Sequence, residues 1–282
     1  MRIVVTGAGG AVARAFLAAA GRHEVVALSH ADLDVGDREA VLATTPACDA
    51  IANLAAFTDV DGCEEDPARA GRDNADAVGH LADAARARGA ALLQVSTDYV
   101  FDGRKPEPYD EEDAPAPLSV YGRTKLAGEE HARALPAHLV VRTGFLFGTG
   151  RDHLARSLRA LAAGESAGAI ADRTGSPTYV PDLAAGLVAL LEAGRPGTYH
   201  LAGPEAATWS STLRRAAAIA GLPDRIIDQR AADLRLRAPR PANSALASVR
   251  LASAGVPPLA PLDDALARFV DATLRGPDEP LA

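Results

Sequence analysis

The chain of 282 residues has two lysines' worth of scarcity to explain, since Lys105 and Lys125 are its only lysines and the rest of its 29 basic residues are arginines. Cysteine is equally sparse. Cys48 and Cys63 alone make no disulfide framework, a usage that fits a cytoplasmic protein. No apolar run reaches the ~20 residues that a bilayer span needs; the longest, Val180 to Leu191, is broken by Pro181 and Asp182. The chain passes from Met1-Arg2 straight into a β-like run, without the apolar core of a signal segment, so a cytoplasmic location is expected. The net charge of −8, with both signs interspersed, argues against a basic nucleic-acid surface, and neither a nucleic acid nor a membrane is expected as a partner. The seven histidines show no ligand spacing with cysteines or acids, so no metal is expected. There is no internal repeat and no low-complexity tail.

With 48% hydrophobic and 23% charged residues the composition is that of a globular protein with a real core. Strand-like runs at Arg2 to Thr6, Glu24 to Ser29, Ala50 to Leu54, Ala91 to Ser96 and Leu139 to Thr143 alternate with amphipathic stretches. The helical stretches are Ala11 to Ala20, Arg38 to Thr44, Pro67 to Arg88 and Val120 to Ala134. Short apolar strands separated by helices predict an α/β fold, a doubly wound parallel sheet covered on both faces. From Gly144 onward the pattern loosens into helical stretches near His153 to Ala163, Asp182 to Ala193 and Ser210 to Ala220, joined by loops rich in Gly and Pro. The expected organisation is a dinucleotide-binding domain over residues 1–143 and a smaller C-terminal substrate-binding lobe over residues 144–282. Some segments, about 177–200, are expected to return to the first domain.

Three features carry chemistry. The first is Gly7-Ala8-Gly9-Gly10-Ala11-Val12-Ala13, directly between the first strand and the first helix. Gly7 and Gly10 let the backbone turn tightly and approach a pyrophosphate, whose charge then sits at a helix N-terminus; a small residue at position 13 allows close helix-to-strand packing. Together these are the marks of a Rossmann-type site. The second lies about twenty residues on, where an NAD-type site carries an acid for the ribose 2′-hydroxyl. Here the strand ends Leu28-Ser29-His30. Ser29 leaves room for a 2′-phosphate, with Arg14 or His30 as the charge, so NADPH is favoured and NADH tolerated. Asp32 and Asp34 read either as contacts to the adenine edge or as the turn leading into Asp37. The third is Ser96-Thr97-Asp98 at the end of the fourth strand, followed by Tyr121 and Lys125. Ligands bind outside the carboxyl ends of parallel strands, which puts Thr97 where substrate belongs. Tyr121 and Lys125, four apart, share one helix face. An ammonium favours the phenolate, so a lowered pKa for Tyr121 and a role as general acid toward a carbonyl are expected. Five tyrosines and two lysines in 282 residues make such a pair rare by chance. Arg240 reads about equally as a bidentate donor to a pyrophosphate and as a surface ion pair. The acidic run Asp110-Glu-Glu-Asp113 reads as a solvated loop.

At these residues the chain resembles the extended short-chain dehydrogenases, and within them the dTDP-4-dehydrorhamnose reductase family. The resemblance runs over nearly the whole length. It includes Asn53-Leu-Ala-Ala-Phe-Thr-Asp-Val-Asp61, Ser96-Thr-Asp-Tyr-Val-Phe-Asp-Gly103 and Ser119-Val-Tyr-Gly-Arg-Thr-Lys-Leu-Ala-Gly-Glu129. Gly175-Ser-Pro-Thr178, Tyr199-His-Leu, Trp209-Ser and Arg240-Pro-Ala-Asn-Ser244 match the family's sugar-binding half. The resemblance implies Thr97, Tyr121 and Lys125 as the catalytic set, with Tyr121 and Lys125 also at the cofactor. It implies Gly10, Ala11 and Val12 at the pyrophosphate, Ser29 at the adenosine ribose, Asp34 and Val35 at the adenine, and Ala55, Ala56 and Phe57 along the cofactor's middle. Thr97, Asp98 and Phe145 would face substrate, with Arg240 as a further candidate. The chain departs from the family pattern at Ser29, where an acid can stand, at Phe145, where some members carry a bulkier aromatic, and at Gly150-Arg-Asp-His153. Some members bridge a dimer through a metal and an acid in the first helix; Ala11 to Ala20 contains no acid.

The activity implied is NAD(P)H-dependent reduction of the C4 keto group of a nucleotide-linked 4-keto-6-deoxyhexose, dTDP-4-dehydro-L-rhamnose to dTDP-L-rhamnose, by a monomer or homodimer. Two alternatives stand beside it: a ketoreductase for another activated deoxysugar of secondary metabolism, and a cofactor-binding regulatory subunit without turnover. The intact Thr97, Tyr121 and Lys125 argue against the last.

Overall fold

The computed structural model describes residues 1–275, so residues 276–282 of the expected second lobe lie outside the described residues. The first half alternates β1 (Arg2–Thr6), α1 (Ala11–Ala19), β2 (Glu24–Leu28), α2 (Arg38–Thr44) and β3 (Ala50–Asn53). It continues through α3 (Val60–Glu65), α4 (Pro67–Gly71), a π-helical turn (Arg72–Asp76), α5 (Ala77–Arg88), β4 (Ala91–Thr97), α6 (Val120–Arg133) and β5 (His138–Thr143). The second half holds β6 (Leu146–Phe147), α7 (His153–Ala162), β7 (Ala167–Ile170), β8 (Thr174–Gly175), β9 (Thr178–Tyr179), α8 (Val180–Ala193) and β10 (Gly197–His200). It ends with β11 (Ala207–Thr208), α9 (Trp209–Ile219), β12 (Ile226–Gln229), α10 (Leu251–Ala254) and α11 (Leu262–Leu274).

Six parallel strands form the central sheet in the order β10-β5-β4-β3-β1-β2. The chain leaves β1 for β2 on one side and returns to β3 on the other. That reversal opens a crevice at the carboxyl ends of β1 and β3, where ligands bind in sheets of this kind. Ile3, Val4 and Val5 of β1 are all fully buried, because helices cover both faces and a central parallel strand has no wet side. On one face Phe16 of α1 packs with Leu183, Leu187 and Leu190 of α8. On the other, Val41, Val78, Leu81 and Ala132 of α2, α5 and α6 pack together. Burying such side chains stabilises by roughly 1.5–3 kcal/mol each, set against the entropy of ordering the chain.

The segment over residues 178–200 gives α8 and β10 to this first layer: β10 pairs with β5, Gly197 opposite Leu139. A second apolar cluster joins Phe147, Leu154, Leu158, Leu213, Leu266 and Phe269 from β6, α7, α9 and α11. The helix expected over Pro67 to Arg88 is present but carries the π turn at its centre, and α3 precedes it. A π turn inserts one residue into the helix and turns the following side chains, which buries Asn74 against the cleft. Among the described residues no helix is long and apolar enough to cross a membrane.

Candidate active site

The turn after β1 is built for close approach. Gly7 has φ +69°, and a Cβ there would lie 2.7 Å from the backbone of Ala55, so a larger residue would push β1 and β3 apart. Gly10 caps α1 without any side-chain bond, which leaves the first N–H groups of a nine-residue helix pointing outward, and the first turn contains no acid. Ala11 is the first residue of that helix. A cavity of about 450 Å³ opens over this turn, lined among others by Gly7, Gly10, His30, Asp34, Val35 and Phe57. Open helix donors beside such a cavity suit a phosphate, and the glycine turn leaves room for it.

A second cavity, of about 370 Å³, continues from the first through Leu54, Ala55, Ala56 and Thr58. Val12, Thr97, Asp98, Tyr121, Lys125, Thr143, Phe145 and Trp209 line it. Helix α6 brings in Tyr121 and Lys125. Ser119 caps it by accepting the N–H of Gly122 at 3.1 Å. Gly122 lies so close to the preceding loop that a Cβ would stand 2.3 Å from the carbonyl oxygen of Tyr99. Deeper in the same helix, fully buried Glu129 accepts from Ser96 of β4 at 2.5 Å and from Arg142 of β5 at 2.8 Å. These bonds tie the helix to both strands and hold its inner face over their carboxyl ends. Buried Asn74 bonds the N–H and the carbonyl of Phe57, at 2.9 and 3.0 Å, and reaches Thr124 at 3.3 Å, so the π turn braces the cleft wall against α6.

Lys125 is 4% exposed, and its Nζ donates to the Val95 carbonyl at 2.7 Å. Burial brings its pKa down to about 8, with Glu129 opposing. The sequence led us to expect a lowered pKa for Tyr121; the opposite holds. Burial pushes the phenol up, the charge of Asp98 adds to this, and the Thr97 hydroxyl opposes it. The larger effect is desolvation of the phenol in the cleft, where the edge of Tyr99 lies 6.2 Å from its ring. A phenol held protonated at neutral pH is a proton donor in waiting.

Asp98 is 3% exposed and raised to about 6 by burial. It accepts from Thr97 at 3.1 Å and from Ser244 at 2.5 Å, a contact that ties the C-terminal strap to the floor of the site. Phe145 is the one non-glycine residue with positive φ (50°) among the described residues, and its ring stacks on Trp209 at 4.6 Å. The hydroxyl of Thr143 is buried with no protein partner and lines this cavity, so a ligand atom is the partner that fits it.

Other sequence candidates lie outside the Tyr121 cavity or are already paired within the protein. Ser29 does not line either cavity; its hydroxyl donates to Asp32 at 2.6 Å. Asp34 pairs with Arg72, and Asp37 caps α2 by accepting the N–H of Ala40 at 3.0 Å. Arg240 pairs with Asp61 at 3.0 Å and does not line the cavity. The solvated loop expected at Asp110 to Asp113 needs correction: Glu111 is buried and accepts from Ser248, Val249 and the backbone of His200, because a strap remote in sequence lies over it. Among the described residues no three His, Cys, Asp or Glu side chains converge as a metal site. Gly164-Glu-Ser-Ala-Gly168 has the spacing of a hydrolase nucleophile elbow, but it runs from α7 into β7, helix to strand, the reverse of that motif, and Ser166 is exposed. The resemblance puts Trp209 and Ser244 in the sugar-binding half and Glu129 in the run that starts at Ser119, without a role for any of them, and Thr143 carries no signal in the sequence beyond its place at the end of a strand.

The family model described as RmlD substrate binding domain matches residues 1–275. A dTDP-4-dehydrorhamnose reductase of Mycolicibacterium smegmatis is 40% identical over 289 residues, which cover 98% of this chain and 88% of that one. Among solved structures, a dTDP-4-dehydrorhamnose reductase of Clostridium acetobutylicum superposes with a TM-score of 0.91 at 30% identity, over 96% of this chain and 99% of that one. The Bacillus anthracis dTDP-4-dehydrorhamnose reductase in complex with NADP gives 0.91 at 28% identity, over 95% and 98%.

Proposed function

This chain belongs to the RmlD substrate binding domain family, the dTDP-4-dehydrorhamnose reductases, and from that premise we propose that it is an NAD(P)H-dependent oxidoreductase that reduces the C4 keto group of dTDP-4-dehydro-L-rhamnose to give dTDP-L-rhamnose. The observation that carries the reading is the convergence of Thr97, Tyr121 and Lys125 on one cavity that continues into the glycine turn.

The cofactor would lie along the two joined cavities, its pyrophosphate on Gly10, Ala11 and Val12, its adenosine toward Asp34 and Val35, and its middle against Ala55, Ala56 and Phe57. When bound, a reduced nicotinamide supplies the hydride for the ketone carbon. Tyr121 holds the matching proton on its phenol, and donation to the ketone oxygen neutralises charge as it develops there. The raised pKa means that the phenol keeps its proton, and stays neutral, across neutral pH. Thr97 now donates to Asp98; turned toward the cavity, the same hydroxyl would bond the ketone oxygen. Lys125 would hold a ribose hydroxyl while keeping one donor on Val95, a double task that suits three rotatable ammonium donors better than a planar guanidinium. Asp98 would accept from sugar hydroxyls, and the stacked Phe145 and Trp209 would offer an apolar face to the sugar or base. A substrate diphosphate reaching Arg240 would have to compete with Asp61.

The test is oxidation of NADPH on addition of a dTDP-4-keto-6-deoxyhexose, followed by identification of the reduced sugar. Turnover to dTDP-L-rhamnose supports the proposal. Cofactor binding without turnover on any such sugar would leave a nucleotide-binding protein only.

A further inference from the structure

The sequence leaves the end of β2 without the acid that an NAD-type site uses, since position 29 is serine. The fold returns one from three residues along. The backbone N–H of Ala8 donates to Leu28 at 3.1 Å, which sets the end of β2 against the glycine turn. Immediately after Leu28, the N–H and the hydroxyl of Ser29 both donate to one oxygen of Asp32, at 2.9 and 2.6 Å. The N–H groups of Asp32 and Leu33 in turn reach the Ser29 carbonyl, at 3.1 and 3.0 Å, and close the loop. A carboxylate is therefore fixed at the tip of the residue 29 side chain. Its second oxygen, Oδ1, takes no protein donor among the described residues.

This arrangement changes what Ser29 offers. Its hydroxyl hydrogen is spent on Asp32, so the oxygen presents lone pairs alone. A ribose 2′-hydroxyl reaching the end of β2, which has a proton to give, would meet two acceptors there. A 2′-phosphate would meet the same two with nothing to donate and with like charge. The basic side chains around this turn are Arg14, whose guanidinium reaches back to the Gly9 carbonyl at 2.6 Å, and His30, which lines the cavity over the glycine turn. Arg72 is committed to Asp34 and Asp73. Arg14, which has no acid partner among the described residues, opposes the carboxylate.

We infer that Asp32 is a specificity-determining residue of the cofactor site: its carboxylate, held by Ser29, favours a free adenosine 2′-hydroxyl and limits the advantage of a 2′-phosphate, with Arg14 as the counterweight. The inference rests on the cofactor reading given above.

Equilibrium binding to the cofactor-free protein tests it without any turnover. NADH and NADPH are titrated by nicotinamide fluorescence, and 5′-AMP and 2′,5′-ADP by calorimetry, with the wild type, Asp32→Asn, Asp32→Ala and Arg14→Ala. Asp32→Asn keeps an acceptor for the Ser29 N–H, and Asp32 is exposed, so the fold should persist. Removing one unit charge a few ångströms from the phosphate should tighten NADPH and 2′,5′-ADP by about tenfold. NADH and 5′-AMP should hold or weaken slightly, and Arg14→Ala should move the ratio the other way. An NADPH-to-NADH affinity ratio unchanged within about twofold in both Asp32 variants would overturn the inference, as would equal loosening of both dinucleotides, which would mean that the turn is only a brace. If the wild type bound neither dinucleotide, the cofactor reading would fall, and the inference with it.

Discussion

Lys125→Met should make the cofactor-free protein more stable at pH 7 while it sharply lowers turnover. Lys125 is 4% exposed, and its pKa falls from 10.5 to about 8 because burial penalises the ammonium. A folded-state pKa below the unfolded one means that the folded protein binds the proton more weakly. Below about pH 8 the folded protein therefore bears the whole penalty, some 3 kcal/mol for this shift, and between pH 8 and 10.5 the penalty is lifted. Methionine fills a similar volume without charge but leaves the Val95 carbonyl short of its 2.7 Å bond, a loss of about 1–2 kcal/mol. The net expectation at pH 7 is a gain of about 1–2 kcal/mol, or a few degrees in Tm for a chain of this size. Urea unfolding of the two proteins across pH 7 to 10.5 should show the difference shrink and then reverse. Turnover should fall by ~10²-fold or more, so that stability and function part at one residue. A variant less stable than the wild type at pH 7, or a difference that ignores pH, would refute the reasoning.

Tyr121→Phe removes the proton donor and keeps the ring, so kcat should fall by roughly 10²-fold or more while dinucleotide affinity stays nearly unchanged; near-wild-type kcat would remove Tyr121 from the chemistry. Gly122→Ala places a methyl group 2.3 Å from the Tyr99 carbonyl, and the resulting overpacking should destabilise by about 1–3 kcal/mol and lower kcat by moving Tyr121. Denaturation curves and initial rates that match the wild type would contradict this. Asp98 is raised from 3.8 to about 6, so the folded state holds the proton more tightly and stability falls by up to about 3 kcal/mol as pH climbs from 4 to 6. Asp98→Asn should flatten that slope and be relatively more stable at pH 7, read from urea midpoints at pH 4 and 7.

Much of the fold was legible because its signals are local. The three fully buried apolar residues of β1, the glycine turn that follows and the helix after it write a strand, a phosphate turn and a helix within about twenty residues of one another. The four-residue spacing of Tyr121 and Lys125 likewise needs only a helix to put both on one face. What the sequence could not state is which distant residues complete those pieces. Ser244 meets Asp98 across a separation of 146 residues, and Ser248 buries Glu111 across 137; no local pattern encodes either contact. The stack of Phe145 on Trp209 joins the turn after β5 to the start of α9 and holds a strained backbone. Even at short range the decisive term was geometric, for Asp32 becomes an acid at the end of β2 only when the chain turns back onto Ser29. The pKa of Tyr121 turned the same way: spacing puts Lys125 on the same helix face, but burial, which only the packed structure sets, decides the direction. Spacing along the chain decided which chemical groups are present, and tertiary packing decided their protonation and their partners, because desolvation and long-range contact exist only once the chain is folded.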